Sequence, residues 1–369
     1  MSSSPFRNRL GKLFVFIFIV LVILFSTLIY KAYVINQPCK HNIEKMNDSD
    51  RIKVTQDQIK RLQEALRIQT VSFSNLIQNT SAVDKFGKFI REEFKDLESY
   101  PYVQFSFVNN YSILYEIKGK RSDLKPYLLA AHFDVVPANA QEDKWTHEPF
   151  EANIDDGFIY ARGTIDDKSS MLGQLEALRL FLKSNGQPQR TIYLAFGHDE
   201  EKLGLDGAKI ISNLLSNVSL EYVLDEGTMI IEDIFPELGK PISYISIAEK
   251  GYLTVKYYVN VTGGHSSMPN DQESAIYICA DAISKLKANK IPSRLGYGPE
   301  KNILEGLAAH FGFLNRVALS NIWFFKPLLE WTFSKLPATD AVLRTTTAVT
   351  MFNAGIIYIF RFYKYNYLV

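Results

Sequence analysis

Four short apolar runs between residues 127 and 227 each end in acidic or histidine residues, and this arrangement restricts the possible folds more than any other feature of the sequence. Carboxylates and imidazoles at the ends of buried strands are destabilising unless something pairs with them. A divalent metal ion is the simplest partner that serves all four clusters. The clusters are, in chain order, Ala131-His132-Phe133-Asp134-Val135-Val136-Pro137, Arg162-Gly163-Thr164-Ile165-Asp166-Asp167-Lys168, Gly197-His198-Asp199-Glu200-Glu201 and Leu224-Asp225-Glu226-Gly227.

The apolar spacing of the same region predicts strands that alternate with helices. Strands are predicted over 103–107, 112–117, 127–131, 158–161 and 191–196, and helices over 57–68, 83–97, 169–183 and 207–215. This order predicts an α/β fold, with a mostly parallel sheet that helices cover on both faces. Open α/β sheets bind ligands at the carboxyl ends of their strands, which is where the acidic clusters fall.

The first two clusters suggest individual roles. Residues two apart in an extended chain face the same way, so His132 and Asp134 can point together into a crevice. His132 would be a metal ligand, and Asp134 a carboxylate that fixes the imidazole geometry. Asp166 lies in a glycine-containing loop just before a helix, and its two carboxylate oxygens can bridge two metal ions.

The last two clusters supply further acids. Glu200 and Glu201 are neighbours whose side chains must point in different directions, so one can bind metal while the other holds water. Asp225 would complete the coordination shell of one metal ion. Taken singly, such signals are weak, because a His-x-Asp pair often lies on a surface and an Asp-Glu-Glu run often starts a helix. Four clusters in order favour a metal site. Three further histidines lack partners in the sequence and are interpreted as structural: His147, His198 and His310.

The pattern changes after residue 248. A strand is predicted over 252–261, a turn containing His265 over 263–269 and a helix over 274–286, which indicates a smaller α+β domain. Residues 321–336 are rich in tryptophan, phenylalanine and leucine. This segment has two interpretations: a surface for an acyl chain or a membrane, or the core of the smaller domain.

An apolar run over residues 13–30, relieved only by Ser26 and Thr27, follows a basic start. Its length is at the threshold for spanning a bilayer, which favours an uncleaved signal anchor with a cytosolic N-terminus. The alternative is a cleaved signal peptide and a secreted protein. Both place the remainder in the secretory pathway, lumenal or extracellular. Five Asn-x-Ser/Thr triplets fit this prediction and begin at Asn47, Asn79, Asn110, Asn217 and Asn260.

Charge and cysteine content argue against a nucleic-acid-binding protein and against a disulfide-rich or thiolate-metal protein. The chain has 41 basic and 40 acidic residues, a balance that gives no electrostatic reason to expect a nucleic-acid partner. Its two cysteines, Cys39 and Cys279, are far apart, so neither a disulfide framework nor a thiolate metal site is indicated.

In their order, the four clusters and the later Gly264-His265-Ser266-Ser267-Met268-Pro269 resemble the di-zinc metallopeptidase family 20, which includes aminoacylases, carboxypeptidases and dipeptidases. The third cluster and Leu343-Arg344-Thr345-Thr346-Thr347-Ala348 are most similar to its branch of N-fatty-acyl-amino-acid synthase/hydrolases and carboxypeptidase S. The resemblance runs from about residue 50 to Gly355. It implies a zinc-exopeptidase-like sheet sandwiched by helices, plus a smaller α+β lid or dimerisation domain.

The resemblance also implies roles by position. His132, Asp166 and Asp225 would hold one zinc ion, and Asp166 would bridge to a second zinc ion bound by Glu201. Which acid of the pair Asp225 and Glu226 binds metal varies among relatives. Glu200 would be the general base that deprotonates the attacking water, and Asp134 the supporting acid. His265 would stabilise the tetrahedral intermediate, often across a homodimer. The implied substrates are N-acyl amino acids or small peptides, with condensation of fatty acid and amino acid as the reverse reaction.

The sequence departs from its relatives at the C-terminal end. The second zinc ion of the family takes a further histidine far downstream, whereas the last histidine here is His310. Residues 356–369 also diverge, so we expect an incomplete smaller domain and impaired activity. Two hypotheses follow: a two-zinc hydrolase, or a non-catalytic isoform that binds metal weakly or pairs with a full-length partner. Zinc stoichiometry separates them.

The predicted organisation has six segments. They are a cytosolic tail (1–12), a transmembrane anchor (13–34), a stalk (35–50), a catalytic domain lacking its C-terminal part (51–248), a partial lid or dimerisation domain (249–355) and a divergent tail (356–369).

Overall fold

The structure, a computed structural model, describes residues 5–37, 52–74, 77–227, 230–232, 236–243, 245–261 and 274–354. The chain divides into two compact units. We call Glu44–Gly227 the sheet unit, and Met1–Ile43 together with Thr228–Val369 the helical unit. The predicted turn with His265, most of the predicted stalk and the predicted tail 356–369 lie outside the described residues. The six predicted segments remain predictions.

The helices occupy both units. In chain order they are α1 (Pro5–Tyr30), α2 (Gln56–Arg67), α3 (Thr80–Glu93), α4 (Lys168–Asn185), α5 (Ala208–Leu214), α6 (Ala275–Ala288), α7 (Glu300–Ala308), α8 (Phe313–Ser320), α9 (Ile322–Phe333) and α10 (Pro337–Leu343). A π-helical turn, Lys31–Ile35, continues α1, and short 3₁₀ turns cover Lys95–Ser99, Glu200–Lys202 and Pro236–Leu238.

The strands belong to the sheet unit. They are β1 (Ser72–Ser74), β2 (Ile77–Gln78), β3 (Val103–Val108), β4 (Ser112–Ile117), β5 (Tyr127–His132), β6 (Asn153–Asp155), β7 (Phe158–Tyr160), β8 (Ile192–Gly197) and β9 (Val223–Leu224). β1 pairs with β2 and β6 with β7 as small antiparallel sheets.

The central sheet has the strand order β3-β4-β8-β5-β9. The pairs β3–β4 and β4–β8 are antiparallel, whereas β8–β5 and β5–β9 are parallel. The predicted α/β class is confirmed, but the sheet is mixed rather than mostly parallel. The reason is local: β3 and β4 are joined by a short turn with positive-φ Asn109 and Asn110, and such a hairpin connects antiparallel strands.

Alternate residues of β8 face opposite sides of the sheet, and each side is covered by helix. Leu194 and Phe196 pack in the main core with α2, α3 and α4. Tyr193 and Ala195 face the other side, where Ile211 of α5 is buried against them. The buried face of α4 consists of apolar residues at helical spacing: Met171, Leu172, Leu175, Leu178 and Leu182. α4 ends at Gly186, whose φ of 69° lies in the left-handed region that favours glycine.

The helical unit has its own small core around Leu295, Leu319, Ile322 and Leu329. The strand predicted over 252–261 is absent from this described part of the chain, where those residues carry no regular structure. The reason is that a strand needs a hydrogen-bonded neighbour, and its alternating pattern alone does not supply one.

Candidate metal centre

The carboxyl ends of three parallel strands bring the predicted site residues to one edge of the sheet. His132 ends β5 and pairs with Gly197, the last residue of β8. Glu200 and Glu201 follow β8 in a 3₁₀ turn, and the Asp225–Glu226 pair follows β9. The sheet register therefore places three of the four clusters beside one another, as expected from the end-of-strand positions.

His132 is at the centre of the site. Its imidazole is buried, with Nε2 2.8 Å from Asp166 Oδ1, 3.3 Å from Glu226 Oε2 and 3.9 Å from Glu200 Oε2. On the other side of the ring, Nδ1 lies 3.0 Å from the backbone oxygen of Asp134. A hydrogen bond from Nδ1–H to this carbonyl leaves Nε2 to face the acids, which is the arrangement that metal-binding histidines use.

Asp134 is fully buried and organises the turn that presents the two glutamates. Its Oδ1 accepts a hydrogen bond of 3.0 Å from the backbone N–H of Glu200, and Oδ2 accepts one of 3.1 Å from that of Glu201. A carboxylate at the first N–H groups of a helical turn satisfies donors that have no partner within the turn. Asp134 thus holds Glu200 and Glu201 beside the histidine without itself entering the open part of the site.

The second cluster reaches the site from the loop before α4. Gly163 in this loop has a φ of 88°, and a Cβ atom there would lie 2.9 Å from a methyl group of Val135. The bend presents Asp166 and Asp167, which are joined by a cis peptide bond. Two groups of potential ligands form, each with its donor atoms within 4.8 Å of one another. They are His132–Asp166–Glu201 and His132–Asp167–Glu226.

Among the described residues, Glu226 rather than Asp225 takes part in these groups. Asp225 is exposed, and its Oδ1 accepts a hydrogen bond of 2.9 Å from the backbone N–H of Glu226. In an extended chain, neighbouring side chains point to opposite sides, so only one acid of this pair can face His132 in a given backbone arrangement. The role of metal ligand predicted for Asp225 remains a prediction. Glu226 is the other acid of the pair, and relatives vary in which of the two acids binds metal.

The concentration of acids perturbs proton binding throughout the cluster. Burial, followed by the charge of Asp166, raises the pKa of Glu201 to about 7. Burial likewise raises the pKa of Glu226 to about 7 and that of Glu200 above its usual range. Burial alone would lower the pKa of His132, but the hydrogen bond and charge of Asp134 and the charges of Glu226 and Glu200 raise it to about 10.

These pKa shifts and the donor set both indicate a site for a cation. Carboxylates resist ionisation here because they are partly buried beside one another, and a divalent ion would remove that penalty. One imidazole nitrogen with several carboxylate oxygens is a donor set suited to zinc and to similar divalent metals. The acids remain accessible, since the side chain of Asp166 is 62% exposed and that of Glu200 is 50% exposed. The residues therefore fit a metal ion that small molecules can reach.

Sequence reasoning missed three polar residues that support the site, of which Ser72 and Lys168 are buried and Gln78 is partly buried. The hydroxyl of Ser72 donates to Asp134 Oδ2 at 2.7 Å, and the side-chain amide of Gln78 donates to Ser72 Oγ at 3.0 Å. Lys168 is fully buried, and Nζ donates to the backbone oxygens of Ala65 at 3.0 Å and Ile68 at 2.7 Å. Burial lowers the pKa of Lys168 to about 7. Nothing in the local sequence distinguishes Ser72 or Gln78, and the Asp166-Asp167-Lys168 run was interpreted through Asp166 alone, with no role predicted for Lys168.

Two of the three histidines that were interpreted as structural, His147 and His198, have other side-chain partners. His198 is buried, and its Nδ1 lies 2.7 Å from Ser112 Oγ. His147 Nε2 lies 3.3 Å from Asp155 Oδ2 beside the ring of Tyr160. Neither residue occurs in the two groups of potential metal ligands formed by the described residues.

Comparison with known families identifies the class of protein that this fold and site define. Residues 128–323 match the model of peptidase family M20/M25/M40. The match covers more than half of the chain and includes His132, Asp134, Asp166, Glu200, Glu201 and Asp225. The chain belongs to peptidase family M20/M25/M40, and it is by family a hydrolytic enzyme.

Individual relatives agree with this assignment. The chain is 46% identical over 294 residues to N-fatty-acyl-amino acid synthase/hydrolase PM20D1.1 of Danio rerio, covering 79% of this chain and 57% of that protein. It is 43% identical over 297 residues to the Homo sapiens PM20D1 enzyme of the same name, covering 80% and 58%. It is 40% identical over 302 residues to probable carboxypeptidase S-like 2 of Dictyostelium discoideum, covering 80% and 57%. The chain thus spans little more than half the length of these relatives.

Solved structures include a metallo-carboxypeptidase of the same family from Sulfolobus solfataricus. It is 21% identical to this chain with a TM-score of 0.39, over 48% of this chain and 38% of the other.

Proposed function

We propose that this chain is a zinc-dependent hydrolase of the amide bond in N-acyl amino acids, with small peptides as the related substrate class. The observation that carries the proposal is the buried His132 imidazole, whose Nε2 faces the carboxylates of Asp166, Glu226 and Glu200. A buried imidazole among carboxylates in a site open to solvent suits metal-assisted hydrolysis. The N-acyl amino acid class is supported by the similarity to the vertebrate N-fatty-acyl-amino acid synthase/hydrolases.

Two zinc ions are proposed, in keeping with the resemblance. His132, Asp166 and one acid of the pair Asp225 and Glu226 would hold one ion, and Asp166 with Glu201 would hold the other. When bound, zinc supplies Lewis acidity toward the amide carbonyl oxygen and toward water.

The remaining chemistry falls to the side chains of the chain itself. Glu200 is the proposed general base, because its carboxylate is half exposed, lies 3.9 Å from His132 Nε2 and has a pKa that burial raises above its ordinary value. It would accept a proton from the attacking water and return it to the leaving amine nitrogen. Asp134 keeps Glu200 in place through the backbone hydrogen bond to its N–H. The role of His265 in stabilising the intermediate, across a homodimer, remains proposed from the resemblance alone.

We further propose that the protein is anchored in a membrane by its N-terminal helix. Residues Gly11–Ile35 form a helix long and apolar enough to cross a bilayer, with a mean hydropathy of 3.0. The basic residues before it would stay in the cytosol, which would make both units lumenal or extracellular. The cleaved signal peptide is the alternative. An epitope tag at the N-terminus that persists on the mature glycosylated protein would establish the anchor, and its loss from that protein would establish cleavage.

The catalytic proposal is tested with the full chain in lipid nanodiscs. After dialysis against a weak chelator, zinc per chain is measured by mass spectrometry, and hydrolysis of an N-fatty-acyl amino acid and of a dipeptide is followed side by side. We expect close to two zinc ions and release of the free amino acid. Glu200→Gln should keep zinc but lose hydrolysis, because only the base is removed. Glu64→Gln, an exposed acid on α2, is the matched control.

The same measurement separates the alternatives. One zinc ion or none, without hydrolysis, would support a non-catalytic chain that binds metal weakly or pairs with a full-length partner. Asp225→Asn and Glu226→Gln, made separately, assign the third ligand, since only the substitution at the ligand position lowers zinc occupancy.

A further inference from the structure

Helix α9 has two apolar faces, and only one of them is covered. Ile322 and Leu329 are buried, and Phe325 and Phe333 pack beside them in the core of the helical unit. The opposite face carries large apolar side chains that are exposed, as follows: Trp323 (60%), Phe324 (41%), Leu328 (53%) and Trp331 (62%). At 100° per residue these four lie within one side of the helix. Helix α9 thus carries apolar residues on two opposite faces, with the ion pair of Lys326 and Glu330 at one edge between them. A large apolar helix face is normally buried in a core or in a membrane.

The end of the N-terminal helix is bound to the start of α9. Asn321, the residue before α9, is fully buried, and its side-chain amide donates a hydrogen bond of 2.9 Å to the backbone oxygen of Leu28. Leu28 is itself buried, whereas the apolar residues before it, such as Phe25, are exposed. The first turn of α9 therefore lies beside the last turns of the candidate membrane span.

Further contacts with α8 and α7 fix this junction. The guanidinium of Arg316 donates to the backbone oxygens of Ala32 at 2.8 Å and Asn36 at 3.2 Å. It also lies over the ring of Tyr33, 4.1 Å from the ring centre. Lys31 forms an ion pair of 2.9 Å with Glu305 of α7. These polar contacts hold the end of the span against α7 and α8 within the helical unit.

The position along the span sets the depth of α9. Leu28 precedes Ile35, the end of the candidate span, by seven residues, which corresponds to about 10 Å of helix. An element held at that level in an anchored chain lies at the depth of the lipid headgroups and the upper acyl chains. We propose that the exposed face of α9, formed by Trp323, Phe324, Leu328 and Trp331, rests in the interfacial layer of the bilayer that holds the anchor.

The chemistry of the face suits that layer. Tryptophan is enriched at membrane interfaces, where its apolar ring meets lipid and its N–H meets water. Lys335 borders the face, with Nζ 3.3 Å from the ring centre of Trp331. A lysine at this position can extend its ammonium group to the headgroups. Of the possible occupants, a bilayer is favoured over a protein partner because the residue before α9, Asn321, is hydrogen-bonded to Leu28 near the end of the candidate membrane span. The inference rests on the proposed anchoring but not on the proposed chemistry.

Tryptophan fluorescence tests the inference directly. The chain has three tryptophans, and two of them, Trp323 and Trp331, lie on this face. The full chain carrying Trp145→Phe is reconstituted in phosphatidylcholine vesicles with ordinary or with brominated acyl chains, because bromine quenches only tryptophans that contact lipid. We expect emission in brominated vesicles to fall by about half or more, as interfacial tryptophans require. Adding Trp323→Phe or Trp331→Phe leaves one reporter each, and both reporters should be quenched.

The other outcomes overturn the inference in distinguishable ways. Flotation shows whether the chain is in the vesicles. If the chain floats and its tryptophan emission is quenched by aqueous iodide but not by brominated lipid, the α9 face lies in water. A chain that floats and resists both quenchers has the face covered by protein, either a second copy or another partner. A chain that does not float refutes the anchor as well. Zinc content and hydrolysis, measured on the same samples, report separately on the proposed function.

Discussion

The hydroxyl group of Ser72 donates a hydrogen bond of 2.7 Å to the carboxylate of Asp134, and both residues are buried. The same carboxylate accepts the backbone N–H groups of Glu200 and Glu201. Ser72 therefore fixes, through a single acceptor, the turn that presents two of the proposed functional acids. Replacing a residue that orients ligands indirectly typically weakens metal binding by about 10–100-fold.

Replacing Ser72 with alanine is expected to weaken zinc binding by about tenfold or more, because Asp134 loses the donor that orients it. The free energy of unfolding should fall by about 1–3 kcal/mol, the usual cost of a broken buried hydrogen bond to a charged group. Zinc titration and urea unfolding measure the two effects. Ser184→Ala, at an exposed position on α4, is the matched control and should change neither. Equal behaviour of the two variants would mean that Ser72 does not position the site.

Replacing Lys168 with methionine, which is of similar length, should lower the free energy of unfolding by about 2–4 kcal/mol, because two buried backbone oxygens lose their donor. These are the oxygens of Ala65 and Ile68 at the end of α2. Urea unfolding measures the loss, and Lys183→Met on the exposed side of the same helix is the control. If the two variants are equally stable, the buried ammonium does not hold α2 in place.

The central part of the fold and site could be predicted because its signals are local. The apolar run that forms β5 and the residues His132 and Asp134 that follow it are adjacent in sequence, so strand and ligand are read together. The same holds for β8 with Glu200 and Glu201. The supporting residues could not be found in this way. Ser72 meets its partner 62 residues away, and Lys168 meets Ala65 103 residues away, so only the folded chain brings them together.

The structure of segments that depend on a neighbouring element could not be predicted from the sequence either. Residues 252–261 have the alternation of a strand, but alternation does not provide the second strand that pairing requires. The composition of segment 321–336 is compatible with a core and with a surface for lipid, and α9 carries both kinds of face: Leu329 is buried and Trp331 is exposed. Composition does not reveal which side of an apolar helix has a partner.

Replacing Asp340 with asparagine should destabilise the helical unit at neutral pH but not in strong acid. Lys290 at 2.9 Å, Ser334 and Arg344 at 2.8 Å hold the pKa of Asp340 at about 2, below its ordinary value of 3.8. Because the folded-state pKa is the lower one, the stabilisation is fully present above pH 3.8 and is lost as the pH falls through about 2.

Thermal unfolding across this pH range, followed by the fluorescence of Trp323 and Trp331 in a Trp145→Phe background, measures the effect. The melting temperature of Asp340→Asn should be several degrees below that of the parent chain at neutral pH, and the two should converge toward pH 2. Asp281→Asn is the control, since Asp281 pairs with Lys285 on the exposed surface of α6. A difference that stays constant with pH would contradict the role of the ionised carboxylate.

Zinc binding at the cluster is expected to release protons and to become tighter as the pH rises. In the metal-free protein the pKa values of Glu201 and Glu226 are about 7, raised chiefly by burial, and that of His132 is about 10. Zinc requires these groups without their protons, so protons compete with the metal. Raising the pH through 7 removes the protons of the two glutamates, and the apparent affinity should increase about tenfold or more between about pH 6 and about pH 8.

Competition with a chromophoric chelator measures the affinity, and calorimetry in two buffers of different ionisation enthalpy counts the protons released. Glu201→Gln should bind zinc more weakly and with a shallower pH dependence, whereas Glu64→Gln should match the parent chain. An affinity that does not change with pH would mean that these carboxylates are already ionised before the metal arrives.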